Sequence, residues 1–132
     1  MPASAERAPS YVLDSSAILA YLLNEPKASR VAALHSHASI PFIVPAELYA
    51  ALWLKFGQAK ADEAIAAIRQ WQLPWLWPTE ASVLLAGRWR AVYRLGLADS
   101  FIASLAFIHQ ATLVTKNSDF QHLKQEVKLL FL

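Results

Sequence analysis

Cysteine is absent from this 132-residue chain, glycine occurs three times, and charged residues make up only 17%. Without cysteine there is neither a disulfide scaffold nor a thiolate zinc site. Few charges beside 56% hydrophobic residues exclude disorder for the bulk of the chain, because disordered segments are poor in apolar residues and rich in net charge. Gly57, Gly87 and Gly96 stand alone, so no Gly-rich phosphate loop is present. Long hydrophobic runs are missing too. The longest stretches free of Asp, Glu, Lys and Arg are Val31–Ala46 and Ser100–Thr115, and both are broken by His, Pro, Gln or Ser. They fall short of the roughly 20 mainly apolar residues that a membrane span requires. Met1–Pro9 lacks the basic-then-apolar order of a signal peptide. These absences lead us to expect a soluble, cytoplasmic protein that does not enter a membrane.

The length suits one domain, and one of this size buries roughly two-thirds of its unfolded surface. We expect residues 1–9 to form a loose tail and residues 10–132 a single domain. Tyr11-Val12-Leu13 is a short apolar run of β-formers, and Asp14 or Ser15 can cap the helix carrying Ile18, Leu19, Leu22 and Leu23. Lys27–His37 reads as a helix and Ile40–Val44 as a strand. Pro45 suits the start of a helix that runs to Phe56 and stops at Gly57. Gln58–Trp71 is helical, Leu73–Trp77 a strand, Thr79–Leu95 a capped helix and Asp99–Gln110 a buried helix. Thr112–Thr115 reads as a strand, Lys116–Phe120 as a turn and Val127–Phe131 as a last strand. Strands separated by helices predict an α/β fold, a parallel sheet with helices on both faces.

Four of the ten acidic residues sit in otherwise apolar surroundings: Asp14, Glu47, Asp99 and Asp119. Acids are rarely buried unless they are paired or bind metal. Asp14, Glu47 and Asp119 fall just after expected strands, where open α/β sheets bind ligands. Each also has an ordinary explanation. Asp14 and Asp99 suit helix N-caps, Glu47 suits a first turn, and Asp119 suits a plain turn.

The order Val12-Leu13-Asp14-Ser15-Ser16-Ala17-Ile18-Leu19-Ala20-Tyr21-Leu22-Leu23-Asn24-Glu25-Pro26 resembles the opening of PIN-domain nucleases. Glu47 near the start of the third helix, Leu97-Ala98-Asp99, and Leu113-Val114-Thr115-Lys116-Asn117-Ser118-Asp119-Phe120 fit the same pattern. The chain is most similar to the VapC-like toxin branch of that family, from Tyr11 to Phe131. The resemblance implies a three-layer α/β/α sandwich around a parallel sheet of four to five short strands. It also implies an acidic pocket holding Mg²⁺ or Mn²⁺, a homodimer, and a small antitoxin lying in a groove. Asp14, Glu47 and Asp99 match the family's first three acids. The fourth acid commonly falls two residues after the threonine, where this chain has Asn117, so Asp119 and Asn117 share that position.

On this resemblance the expected activity is metal-dependent hydrolysis of RNA by a toxin. Asp14 and Asp99 would be metal ligands, Glu47 would bind or orient the attacking water, and Asn117 with Asp119 would complete the pocket. Ser16 matches the family's small hydroxyl residue, which would hold Asp14 by a hydrogen bond. Alternatives are a PIN-like binding module with a weak active site, for which the Asn117 departure leaves room, and a solitary PIN-type RNA-processing nuclease without an antitoxin. Another α/β phosphoryl enzyme built on Asp14 is disfavoured, since Asp-Ser-Ser lacks the second acid that a haloacid-dehalogenase-type pocket needs.

Arg90 and Arg94 share a helix face, and Lys116 adjoins Asn117, so all three are candidates for RNA phosphate contacts or for a solvated surface. Of the five tryptophans we expect most in the core, with Trp53, Phe56 and Trp71 as candidates for the antitoxin groove. The histidines form no zinc pattern. If the four acids share one pocket, the remainder of the chain holds twelve basic against six acidic residues, a balance that favours a polyanion.

Overall fold

Tyr11–Leu13 (β1) lies at the centre of the sheet, and its residues Val12 and Leu13 are at most 1% exposed. A strand buried on both faces is the habit of parallel sheets covered by helices. The computed structural model describes residues 10–132, and the expected loose tail lies outside the described residues. The other strands are Ala38–Pro41 (β2), Trp75–Leu76 (β3), Thr112–Thr115 (β4) and Leu129–Phe131 (β5). Their order across the sheet is β3-β2-β1-β4-β5, with every neighbouring pair parallel. Helices flank the sheet in an α/β/α sandwich, as expected. Among the described residues no helix is long and apolar enough to cross a membrane.

The helices are Ser15–Leu22 (α1), Ala28–Leu34 (α2), Val44–Phe56 (α3), Gln58–Gln70 (α4), Glu80–Tyr93 (α5) and Leu97–Ile108 (α6). Their ends follow local chemistry. Asp14 caps α1 by accepting from the Ala17 amide at 3.0 Å. Thr79 and Ser82 exchange two hydrogen bonds in a capping box at the start of α5. Gly57 joins α3 directly to α4 at φ 92°, a backbone conformation that side chains rarely adopt. The buried residues of α6 include Ile102, Ala103, Leu105 and Ala106, together with Ser100 and Ser104, whose hydroxyls are satisfied by carbonyls of their own helix region.

Several boundaries differ from the sequence reading. Val44 begins α3 rather than ending β2, so the strand is Ala38–Pro41. The segment after α2 tightens into a 3₁₀ turn over His35–His37, and a second 3₁₀ turn over Ser118–Leu123 replaces the simple turn. Gly96, not Asp99, occupies the N-cap of α6, and Asp99 falls inside its first turn. Among the tryptophans only Trp89 is fully buried; Trp71 and Trp75 are half-buried, and Trp53 and Trp77 are exposed.

The strand order reverses between β1 and β4. Chain connections run to opposite sides from this point, which leaves a crevice beyond the carboxyl ends of the two strands. Asp14 follows β1, and Lys116-Asn117 follows β4. Phe120 and Leu123, both fully buried, anchor the 3₁₀ turn and so fix the loop that carries Asn117 and Asp119 beside the crevice.

Candidate active site

Asp14 is 3% exposed, and its carboxylate is held from three sides. The Ser16 hydroxyl donates to Oδ1 at 2.6 Å, the Ala17 amide to the same oxygen at 3.0 Å, and the Thr115 hydroxyl to Oδ2 at 2.5 Å. Asp14 is therefore both the helix cap and a fixed, buried carboxylate. Burial raises its pKa above the ordinary value, and the donors from Ser16, Thr115 and Ala17 oppose that rise.

Thr115 ends β4 and is fully buried. While donating to Asp14 it accepts from the Asn117 amide at 2.9 Å. Ser16 likewise accepts from the Lys116 amide at 2.8 Å, so the loop after β4 is laced to the start of α1. The Asn117 side chain works at both ends. Its Nδ2 donates to Asp99 Oδ2 at 3.3 Å, and its Oδ1 accepts from the Asp119 amide at 2.9 Å.

Glu47, in the first turn of α3, is half-buried. Its Oε1 is buried with no hydrogen-bond partner among the described residues. Its pKa is raised, first by burial and then by the charges of Asp99 and Asp14, with the Ser15 hydroxyl pulling the other way. Asp99 is raised first by burial, then by Asp14 and Asp119, against the donor from Asn117. The fold thus brings Asp14, Glu47 and Asp99 within electrostatic reach of one another, with Asp119 acting on Asp99. No Arg or Lys is among the groups acting on Asp14, Glu47 or Asp99, so their repulsion has no counter-charge from the described residues.

The three candidate phosphate-binding cations are placed differently. Arg90 donates from Nη1 to the Leu95 carbonyl at 3.0 Å, which ties the end of α5 to the following loop. Arg94 is exposed and sits at the C-cap of α5 in the left-handed conformation, φ 57°. Both border an open depression with Gly87, Ala91 and Leu95, and none of the four acids lines it. Lys116 is engaged by Glu25 Oε1 at 2.5 Å. Sequence reasoning missed Thr115 and Glu25. Thr115 had a signal, since it closes a strand two residues before Asn117; Glu25 had none.

The donor set is all oxygen, apart from the Asn117 amide nitrogen, and suits a hard divalent cation such as Mg²⁺ or Mn²⁺. Glu47 Oε1, buried and unpartnered, is the kind of atom such an ion satisfies. No three His, Asp or Glu side chains among the described residues close on a single point. A cation here would take one or two carboxylates and complete its shell with water, as Mg²⁺ commonly does.

The reversed strand order, the crevice and the carboxylates define a parallel α/β protein with an acidic site at its switch point. The family model for the PIN domain matches residues 11–126, and the chain belongs to that family. Solved structures agree with the fold. A chain of VapBC2 from Rickettsia felis, bound to a promoter DNA fragment, superimposes with TM-score 0.75 at 21% identity, covering 92% of this chain and 97% of that one. A chain of VapBC-1 from nontypeable Haemophilus influenzae gives 0.72 at 27% identity, covering 92% and 96%. VapBC-5 from Mycobacterium tuberculosis, a member of the VapBC family of toxin–antitoxin systems, gives 0.70 at 17%, covering 94% and 100%. No curated protein matches by sequence.

Proposed function

We propose that the protein is a divalent-metal-dependent endoribonuclease and the toxin of a toxin–antitoxin pair. One observation carries the nuclease reading: Asp14, Glu47 and Asp99 repel one another, one of them with a buried unpaired oxygen and with Asp119 acting on Asp99, at the carboxyl edge of a PIN-domain sheet. Asp14 and Asp99 would hold Mg²⁺ or Mn²⁺, the first fixed by Ser16, Ala17 and Thr115, the second by Asn117. When bound, such a cation lowers the pKa of a water and neutralises charge on a phosphate under attack. Glu47, with its raised pKa and free Oε1, is suited to orient the attacking water and take its proton. Asn117 and Asp119 order the loop beside Asp99. RNA is the substrate favoured by the family resemblance and by the basic balance of the chain outside the site.

The toxin reading is supported by structural neighbours that are chains of VapBC complexes. It brings with it a small antitoxin partner, a homodimer and action in the cytoplasm. Exposed Trp53, Leu54 and Phe56 on α3 offer apolar surface for the antitoxin, beside the shallow groove lined by Leu22, Leu23, Leu52 and Phe56.

The test is cleavage of mixed RNA by the purified chain with Mg²⁺ or Mn²⁺, with EDTA, and with Asp14→Asn or Asp99→Asn. Cleavage lost with EDTA and in both variants supports the nuclease. Full cleavage by both variants would exclude these acids as its site. Co-expression with the neighbouring short reading frame tests the toxin: relief of growth inhibition supports it, and no inhibition in its absence counts against it.

A further inference from the structure

An aromatic cluster stands at the same edge of the sheet as the acids and is used by nothing described so far. Phe42, just past β2, stacks on Trp77, just past β3, with centroids 6.1 Å apart and planes at 27°. Phe101 meets Phe42 edge-on at 5.4 Å, and Trp75 meets Trp77 at 6.2 Å. Phe42, Phe101 and Trp75 are half-buried, whereas Trp77 is 63% exposed. Three supported rings therefore carry a fourth whose indole remains largely open to solvent.

The register locates this cluster relative to the acids. Val12 pairs with Ser39 and Pro41 with Leu76, so continuing the pairing sets Asp14, Pro41 and Leu76 at one level. Phe42 and Trp77 lie one residue beyond it, on the carboxyl side, where the crevice opens. Strands are about 4.8 Å apart, which puts Trp77 roughly 10 Å across the sheet from Asp14. Phe101 ties the two clusters together, because it lies two residues after Asp99 on α6 while touching Phe42.

We propose that Trp77, backed by Phe42 and Trp75, is a stacking platform for one unpaired base of the RNA strand whose phosphate lies at the acids. The inference rests on the ribonuclease reading. A base offers an apolar π-face with polar edges, which matches an indole exposed at the rim of a polar site; unpaired RNA bases are commonly held on aromatic rings. The groove beside Phe56 on α3, by contrast, is lined by none of the four acids, and Trp53 meets Tyr49 edge-on rather than in a stack. Stacking is indifferent to base identity, so Trp77 would select single-stranded over paired RNA rather than one sequence.

The experiment uses dye-labelled single-stranded oligoribonucleotides that the full-length protein cleaves, with an abasic site placed at each position in turn. Binding is followed by anisotropy in EDTA and cleavage in Mg²⁺, for the parent, Trp77→Ala and Trp77→Phe. We expect Trp77→Ala to weaken binding about 5- to 150-fold and to raise KM with little change in kcat, while Trp77→Phe retains most of the affinity. One abasic position should weaken the parent by a similar factor and add nothing further in Trp77→Ala. If Trp77→Ala binds intact and abasic strands as the parent does, the platform is overturned and the nuclease stands. If Trp77→Ala instead changes the oligomeric state by light scattering, the cluster is a protein interface and the platform is overturned. An absence of both binding and cleavage by the parent overturns both readings.

Discussion

The Thr115 hydroxyl donates a 2.5 Å hydrogen bond to Asp14 Oδ2 across 101 residues of sequence. It joins the carboxyl ends of β1 and β4 at the point where the strand order reverses. Thr115 Oγ1 also accepts from the Asn117 amide, so a single buried atom sets both the first acid and the loop that steers the third.

Thr115→Val keeps the shape and removes both bonds. Asp14 loses a donor that opposes the effect of burial, so its pKa rises further, and the Asn117 amide loses its acceptor. We expect a loss of about 1–3 kcal/mol in urea unfolding, greatest at neutral pH and smallest in acid, where a protonated Asp14 needs the donor less. RNA cleavage should fall with it. A urea midpoint equal to the parent's at both pH values would show that the bond carries no stability.

The acids also give the metal-free protein a specific pH dependence. Asp14, Glu47 and Asp99 have folded pKa values above their ordinary 3.8, 4.5 and 3.8. Between the ordinary and the raised values the folded chain binds more protons than the unfolded one, so stability falls as pH rises. The contribution is complete below about pH 4 and is lost on passing through the raised values. In EDTA the Tm should therefore drop across that window, and Mg²⁺ should restore it at neutral pH. Glu47→Gln should flatten the drop and raise the metal-free Tm at neutral pH. A variant with the parent's full slope would remove Glu47 from the cluster.

Much of this site was legible in the sequence because its signals are local. An apolar β-run ending in Asp-Ser-Ser announced β1 and its cap, and Leu113-Val114-Thr115 announced β4. Signals that required a partner were not legible. Asp is a preferred N-cap residue, so Asp99 suited a cap as well as a site acid, and only the fold separates the two, since Gly96 takes the cap and Asp99 turns to its neighbours. Arg90 and Lys116 read as free cations, but Leu95 and Glu25 already engage them. The aromatic run Trp75–Trp77 gave no hint that Phe42 would lie beneath it, since that contact arises only from the register of β2 against β3.

Asn117→Asp would put an acid where the family commonly has one. The side chain would lose the Nδ2 that donates to Asp99 and add a charge beside it, although Oδ could still accept the Asp119 amide. Without metal, Asp99 should be raised further and the protein less stable at neutral pH. With metal, the added charge should tighten binding of Mn²⁺, read by titration calorimetry. Affinity equal to or weaker than the parent's would mean that the asparagine is the better partner for this pocket.

Arg94 separates a backbone effect from a charge effect. It holds a left-handed conformation, φ 57°, that favours glycine, and its side chain is exposed. Arg94→Gly should therefore gain about 0.5–1 kcal/mol of stability. If the side chain contacts an RNA phosphate, the same variant should bind RNA more weakly and reduce the salt slope by about one unit or slightly less. Arg94→Lys should keep the slope without the gain. Higher stability with unchanged RNA affinity and salt dependence would place Arg94 outside the RNA path and leave it a helix terminus only.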